Sequence, residues 1–378
     1  MLRRGLLIFT ALAGLAAQAS AQTPGTLVYI GTQGSGPGQG VFAARLDPAT
    51  GALTDLGLAL QIERPTWLET DPHRPILYGV NETGNDGKSQ GGVFSLTIDP
   101  STGKLRPLGQ TASGGGGATN LTYDAKASAV FVANYGGGQV SAIPVKPDGA
   151  LTAVSSVQTD YGTGPTKRQT APHAHGVTVD PSGRFVLAPD LGADRVFIYK
   201  FDANTRQLTP GDQPFAALPP GSGPRHLVFS RDGRFAFLDT ELSAMVHTFR
   251  WDAHAGTLTP VASRPIDTPD FAGPKSAAEI ARSADGRFLY VSNRGANALI
   301  VYAIDAQTGA LDEVQRIACG GDVPWSFSID PSGRWLLVAN QASGGIAEFA
   351  VDRASGRLTA TSNALTVAKP VRIAFFQP

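Results

Sequence analysis

The sequence predicts an all-β protein, a seven-bladed β-propeller whose ring closes by joining N- and C-terminal strands in one blade. Three observations carry that expectation. The chain is rich in turn formers, a strand–turn–strand unit recurs at intervals of 47 to 56 residues, and the two ends read as strands that need partners. Of 378 residues, 42% are hydrophobic and only 16% charged, whereas 45 Gly and 27 Pro occur without a collagen-like period, so turns must be frequent. The length permits a large core. Formal net charge is zero with no Lys/Arg-rich run, which removes the electrostatic footprint of a nucleic-acid binder.

Taken in order, the chain opens with Arg3 and Arg4, an apolar stretch over residues 5–17 and the small-residue site Ala19-Ser20-Ala21. That pattern predicts a signal peptide over residues 1–21 and an exported, periplasmic or secreted protein. The apolar stretch is shorter than the ~20 residues a bilayer requires, so no stable membrane insertion is expected after cleavage. Residues 22–378 are then expected to form one propeller domain, a monomer. Residues 27–31 and 41–46 read as two strands. Six copies of the repeat follow, from residue 66 to about residue 365. The clearest contain Asp180-Pro181-Ser182-Gly183-Arg184, Arg231-Asp232-Gly233-Arg234, Ala284-Asp285-Gly286-Arg287 and Asp330-Pro331-Ser332-Gly333-Arg334, with weaker copies at Asp71-Pro72 and Asp124. Alternating apolar residues flank each turn, as in Val177, Val179, Phe185 and Leu187, which is the period of half-buried strands. The Asp, Ser and Gly residues serve φ freedom and side-chain-to-backbone bonds. Residues 371–376 supply the first strand of the blade that the N-terminus completes, which removes exposed edges.

Register turns the repeat into a site. With Asp71, Asp124, Asp180, Ser230, Ser283 and Asp330 as references, Thr66, Thr119, His175, Arg225, Ala278 and Trp325 stand five residues before, at the start of the innermost strands. Eleven residues after, at the end of the second strands, stand Glu82, Tyr135, Leu191, Glu241, Arg294 and Gln341. The start of one strand and the end of its antiparallel partner lie at the same end, so both rows rim one face. Blades four, five and six thereby bring His175, Arg225, Glu241 and Arg294 to one mouth: a base, a carboxylate and two guanidiniums, as a small anionic or ester-like substrate requires. His173, Glu82, Tyr135 and Trp325 are the expected substrate-binding neighbours.

Other features read as structural. His173 and His175 share a strand face and form half a metal site, but no further His or Cys cluster completes it. The glycine tract at residues 114–117 lacks the strand–loop–helix context of a phosphate cradle and reads as an inter-blade connection. Cys319, the single cysteine, reads as a buried spectator thiol. No organic cofactor is expected.

The segments Gly223-Pro224-Arg225-His226, Thr240-Glu241-Leu242, Pro189-Asp190-Leu191-Gly192-Ala193-Asp194, Ala278-Glu279-Ile280 and Ser292-Asn293-Arg294-Gly295 together resemble the seven-bladed lactonase family. That family includes propeller-type 6-phosphogluconolactonases and is related to the fungal carboxy-muconate lactonizing enzyme. The resemblance implies a lactonase of carboxylic-ester-hydrolase type, with His175 as the catalytic histidine and Arg225, Glu241 and Arg294 as its electrostatic partners. The implied substrate is a small-molecule lactone, of a sugar or carboxylated. Two positions depart from the family pattern: Pro324-Trp325 stands where Pro-Arg is common, and Thr240 where Asn is usual. A non-catalytic envelope binding propeller and a lactone-forming cycloisomerase are the alternative readings of the same residues.

Overall fold

The residues that open the repeated turns cap them. Asp180 Oδ1 accepts the backbone N–H groups of Arg184 (3.0 Å) and Phe185 (2.9 Å), and Asp330 does the same for Arg334 and Trp335. Ser230 and Ser283 play that part through one hydroxyl each, toward Phe235 and Phe288. Each cap reverses the chain between an innermost strand and its antiparallel neighbour, so the motif seen in the sequence is the hinge of a hairpin.

The computed structural model describes residues 25–377; the signal-peptide expectation, at residues 1–21, lies outside the described residues. Seven four-stranded antiparallel sheets form the blades of a ring. Blade one is composite: Pro370–Phe376 is innermost, followed outward by Thr26–Thr32, Gly40–Leu46 and Leu53–Gln61. The closure runs in register from Leu27 opposite Phe376 to Gly31 opposite Arg372, and a bulge then brings Thr32 opposite Pro370. Blades two to seven follow in chain order, each from its innermost strand outward. The described residues contain no helix long and apolar enough to cross a membrane.

The apolar core is divided into seven clusters, one in each partition between adjacent blades. Phe131 of blade three and Phe197 of blade four are fully buried in one; Phe235 and Phe237 of blade five and Tyr302 of blade six meet in another. Each blade buries both faces only against its neighbours, so stability is a property of the closed ring. A side chain of that size contributes about 1.5–3 kcal/mol on burial, which makes every partition expensive to open.

One detail departs from plain alternation and positions the site. In several innermost strands the chain carries an extra residue opposite the second strand. Pro224 pairs with Thr240 and Leu227 with Leu238, so Arg225 and His226 together oppose Asp239. Likewise Ala278 and Glu279 oppose Ser292, and Trp325 is the extra residue of blade seven. The bulge leaves a backbone N–H without a ladder partner, and the opposing side chain takes it: His226 donates to Asp239 Oδ1 at 2.8 Å, Glu279 to Ser292 Oγ at 2.9 Å. Two consecutive side chains consequently serve the channel, one toward the mouth and one below it.

Candidate active site

The mouth is built where blades four, five and six meet around Glu241. This carboxylate follows the second strand of blade five, Phe235–Thr240, and its side chain is 5% exposed. Its Oε2 receives Arg225 Nε at 3.2 Å and Arg294 Nη2 at 2.9 Å, with His175 Nε2 at 3.8 Å. Its Oε1 is held by Arg168 Nη1. Of the four residues selected by repeat register, three therefore converge on the carboxylate of the fourth. His175 does not open a regular strand, as the register suggested. It precedes the two-residue strand Thr178–Val179, and the stretch is fixed by a bridge from Ala174 to Asp190 and by His175 N–H donated to Pro189 O at 2.9 Å.

The electrostatics assign protonation states. Burial, then the charge of Arg225, outweigh the pull of Glu241 and hold the His175 imidazole well below its usual value. It is neutral at neutral pH. For Glu241, burial alone would raise the pKa, but the Arg294, Arg225 and Arg168 guanidiniums together drive it below the ordinary carboxylate range. It stays ionised. His175 Nδ1 is buried without a hydrogen-bond partner, which leaves Nε2 as the nitrogen directed to Glu241.

The open space beside this cluster is a cavity of about 350 Å³ walled by Gln33, Glu82, Asn85, Thr119, Tyr135, Arg168, His175, Glu241, Arg294 and Trp325. Arg225 lies beneath it, fully buried, donating Nη1 to the Ala278 carbonyl. Trp325 places its ring under Arg294, 4.6 Å from the guanidinium carbon, an attraction that fixes the arginine's approach. Glu82 lies across the cavity, 3.3 Å from Arg64 and bonded by Asn85 at 2.9 Å. Tyr135 meets His175 edge-on, ring centres 5.6 Å apart. His173 stands behind Tyr135, stacked on it at 4.5 Å with Nδ1 2.8 Å from its carbonyl oxygen, so it backs the wall rather than forming it. Among the described residues no group of three or more His, Cys, Asp or Glu could hold a metal. Cys319 is buried and unpaired by disulfide.

Two sets of residues around the candidate site escaped the sequence reading. The first is Arg168, on the irregular stretch between blades three and four, which also donates to Tyr135 Oη at 2.8 Å. The second is the ring one residue inward of the mouth row. His226 and Glu279, turned toward the axis by the bulges, join Trp67, Asn120 and Arg372 around a larger chamber of about 510 Å³ beneath the mouth. There His226 Nδ1 is 3.3 Å from Glu279 Oε1, and Glu279 Oε2 is 3.4 Å from Arg372. Arg372 in turn lies 3.6 Å above the Trp67 ring centre. Arg225 connects the layers, with Nη1 3.2 Å from His226 Nδ1.

Comparison with known proteins gives the family of the chain. The chain is 32% identical to a 6-phosphogluconolactonase of Bacillus subtilis over 92% of its own length and 97% of that protein. Among solved structures, the periplasmic gluconolactonase of Pseudomonas aeruginosa superposes with a TM-score of 0.87 at 35% identity, covering 93% of this chain and 99% of the other. A Lactobacillus plantarum protein superposes with a TM-score of 0.85 at 32% identity, with 93% and 99% covered. The family model of the seven-bladed β-propeller lactonases matches residues 27–375, and the chain belongs to that family.

Proposed function

We propose that the protein is a lactone hydrolase that opens the ring of a sugar or carboxylated lactone at the mouth of the propeller. The observation that carries the reading is the convergence of neutral His175 with Arg225 and Arg294 on ionised Glu241, at the wall of an open cavity. Kinship with proteins named 6-phosphogluconolactonase and gluconolactonase supplies the reaction class.

In this mechanism His175 accepts a proton from water as the oxygen attacks the lactone carbonyl, a task for the unprotonated imidazole. Arg294, on the cavity wall, faces the oxygen on which negative charge develops. When the acyl carbon–ring oxygen bond breaks, His175 returns the proton to the departing alkoxide, so water is added across that bond and the catalytic residues are regenerated. Glu241, held ionised, is no proton donor; its charge aligns Arg225 and Arg294 through the two ion pairs. Tyr135, Glu82 and Trp325 shape the space for the substrate's remaining groups, and His173 supports Tyr135.

We also infer export as a monomer after removal of residues 1–21. The leader pattern in the sequence supports this, as does similarity to a periplasmic relative.

The test is base uptake at constant pH during hydrolysis of a neutral sugar lactone by the mature chain from Gln22 onward. His175→Ala is expected to lower kcat by roughly 10²- to 10⁴-fold with an unchanged circular-dichroism spectrum. Full turnover in the folded variant would remove His175 from the mechanism.

A further inference from the structure

Arg168 is a mouth cation that the repeat does not supply. It stands on the connection between the outermost strand of blade three, Ser156–Thr159, and the innermost strand of blade four. The base of this connection is fixed. Gln169, with no exposed surface, donates Nε2 to Leu191 O at 2.9 Å and to Asp194 Oδ1 at 2.7 Å. Gly164 and Gln169 close the turn through a 2.9 Å backbone bond. The backbone at Arg168 is thus set by its neighbour, whereas its side chain is 49% exposed against 2% for Arg225 and 8% for Arg294.

The bonds to Glu241 divide accordingly. Oε2 is taken by the two buried guanidiniums, and Oε1 by Arg168. Of the three guanidiniums only Arg168 can turn to water without leaving its own charge buried, so Arg168 and Oε1 are the replaceable half of the cluster. Three guanidiniums around one carboxylate also leave an excess of positive charge at the mouth. Glu82 does not offset it, because it has its own partner in Arg64.

We infer that Arg168 is a specificity-determining residue for the lactone reaction, a latch that passes from Glu241 and Tyr135 to an anionic carboxylate or phosphate substituent of the bound lactone. The inference rests on the lactonase reading above. The planar guanidinium fork matches two oxygens of either group, so Arg168 holds the anion while Arg294 polarises the carbonyl. Transfer of the latch frees Oε1 to accept a substrate hydroxyl, so recognition of the anion and orientation of the sugar are coupled through one side chain.

The experiment compares the mature wild-type chain with Arg168→Ala and Arg168→Lys on three lactones: a neutral sugar lactone, its phosphorylated form and a lactone carrying a carboxylate. Arg168→Ala is expected to raise KM for at least one acidic lactone by tenfold or more relative to its effect on the neutral one. The acidic lactone most affected identifies the group recognised. Arg168→Lys is expected to recover part of that selectivity, because it keeps the charge without the fork, and wild-type selectivity is expected to shrink as salt rises. Equal changes in KM for all three lactones, or no change, overturn the latch while leaving the lactonase reading intact. Failure of the wild type to hydrolyse any of them overturns the lactonase reading and the latch with it.

Discussion

Arg225 and His226 are consecutive in the chain, yet they serve the two sides of one partition. Arg225 reaches the Glu241 carboxylate under the mouth at 3.2 Å, and His226 faces the lower chamber with Glu279 at 3.3 Å. Their own contact, 3.2 Å between Nη1 and Nδ1, joins the layers. The tautomer that donates Nδ1–H to Glu279 leaves the imidazole lone pair on Nε2, 3.5 Å from the same Arg225 nitrogen. Burial, then the Arg225 and Arg372 charges, hold His226 well below its usual pKa, so this neutral form is the resting one. The arginine paired with Glu241 is therefore steadied from below by a histidine of the lower chamber.

His226→Phe tests that support. The variant keeps a ring against Trp67, whose centre lies 5.1 Å away, but removes both nitrogens. Losing a hydrogen bond to a charged group, about 1.5 kcal/mol at the low end, corresponds to a change of roughly tenfold. The expected result is kcat about tenfold lower with KM nearly unchanged, read by steady-state kinetics on a neutral lactone. A rise in KM alone would show that His226 does not act through Arg225.

The displaced His175 pKa fixes the acid side of the pH profile. The active form is neutral imidazole, and burial with the flanking Arg225 holds its pKa well below the ordinary 6.5. The acid limb of kcat/KM is therefore expected below pH 6.5, and a limb at or above that value excludes His175 as the base. Stability follows the same sign. Below 6.5 the unfolded chain binds a proton at this histidine and the folded chain does not, so unfolding is favoured as pH falls through that range. His175→Gln is expected to lose less stability than wild type between pH 6.5 and about 5, measured by urea unfolding at each pH.

The repeat makes the mouth readable because equivalent positions in six copies superpose without gaps, and His175, Arg225, Glu241 and Arg294 occupy two such rows. The lower ring is hidden by the same regularity. Strict alternation turns His226 and Glu279 away from the face that Arg225 and Ala278 occupy, and only the bulges opposite Asp239 and Ser292 bring both residues of each pair to the channel. Bulges have no signature in the apolar pattern. Arg168 leaves one trace: the interval from Asp124 to Asp180, 56 residues, is the longest between repeats, and the surplus is the connection that carries it. For His173 the pattern His-x-His, sharing a face with His175, points to the substrate, but Tyr135 intervenes and takes the stack.

Glu241→Gln separates structural from catalytic consequences. The amide keeps the shape and removes the charge that Arg168, Arg225 and Arg294 share. Breaking a buried pair from one side costs about 3–5 kcal/mol, because the remaining charges stay buried and uncompensated. The variant is expected to unfold at markedly lower urea concentration and to lose hydrolysis. Added chloride is expected to restore part of the stability by supplying a counterion, and to restore none of the activity. Unchanged unfolding would mean that the guanidiniums find other partners and that Glu241 is not the centre of the cluster.

Gly176→Ala reaches the site through the backbone alone. Gly176 belongs to the same inner ring as His226 and Glu279, and a Cβ there would stand 2.5 Å from the Arg225 carbonyl oxygen and 3.3 Å from His226 Cδ2. A backbone oxygen cannot swing aside as a side-chain tip does, so the innermost strands of blades four and five must part, and Arg225 rides on the strand that moves. A shift of about 1 Å at a catalytic group costs up to 10²-fold. The expected outcome is a folded protein with kcat/KM ten- to a hundredfold lower, roughly. Gly183→Ala is the contrast. Gly183 has φ +75, and a methyl group added there would have nothing within 4 Å, so that change strains the turn by about 1 kcal/mol without disturbing the mouth. It is expected to lower the melting temperature and leave kcat/KM as it was. Equal kinetics in the two variants would show that the separation of blades four and five does not govern the placement of Arg225.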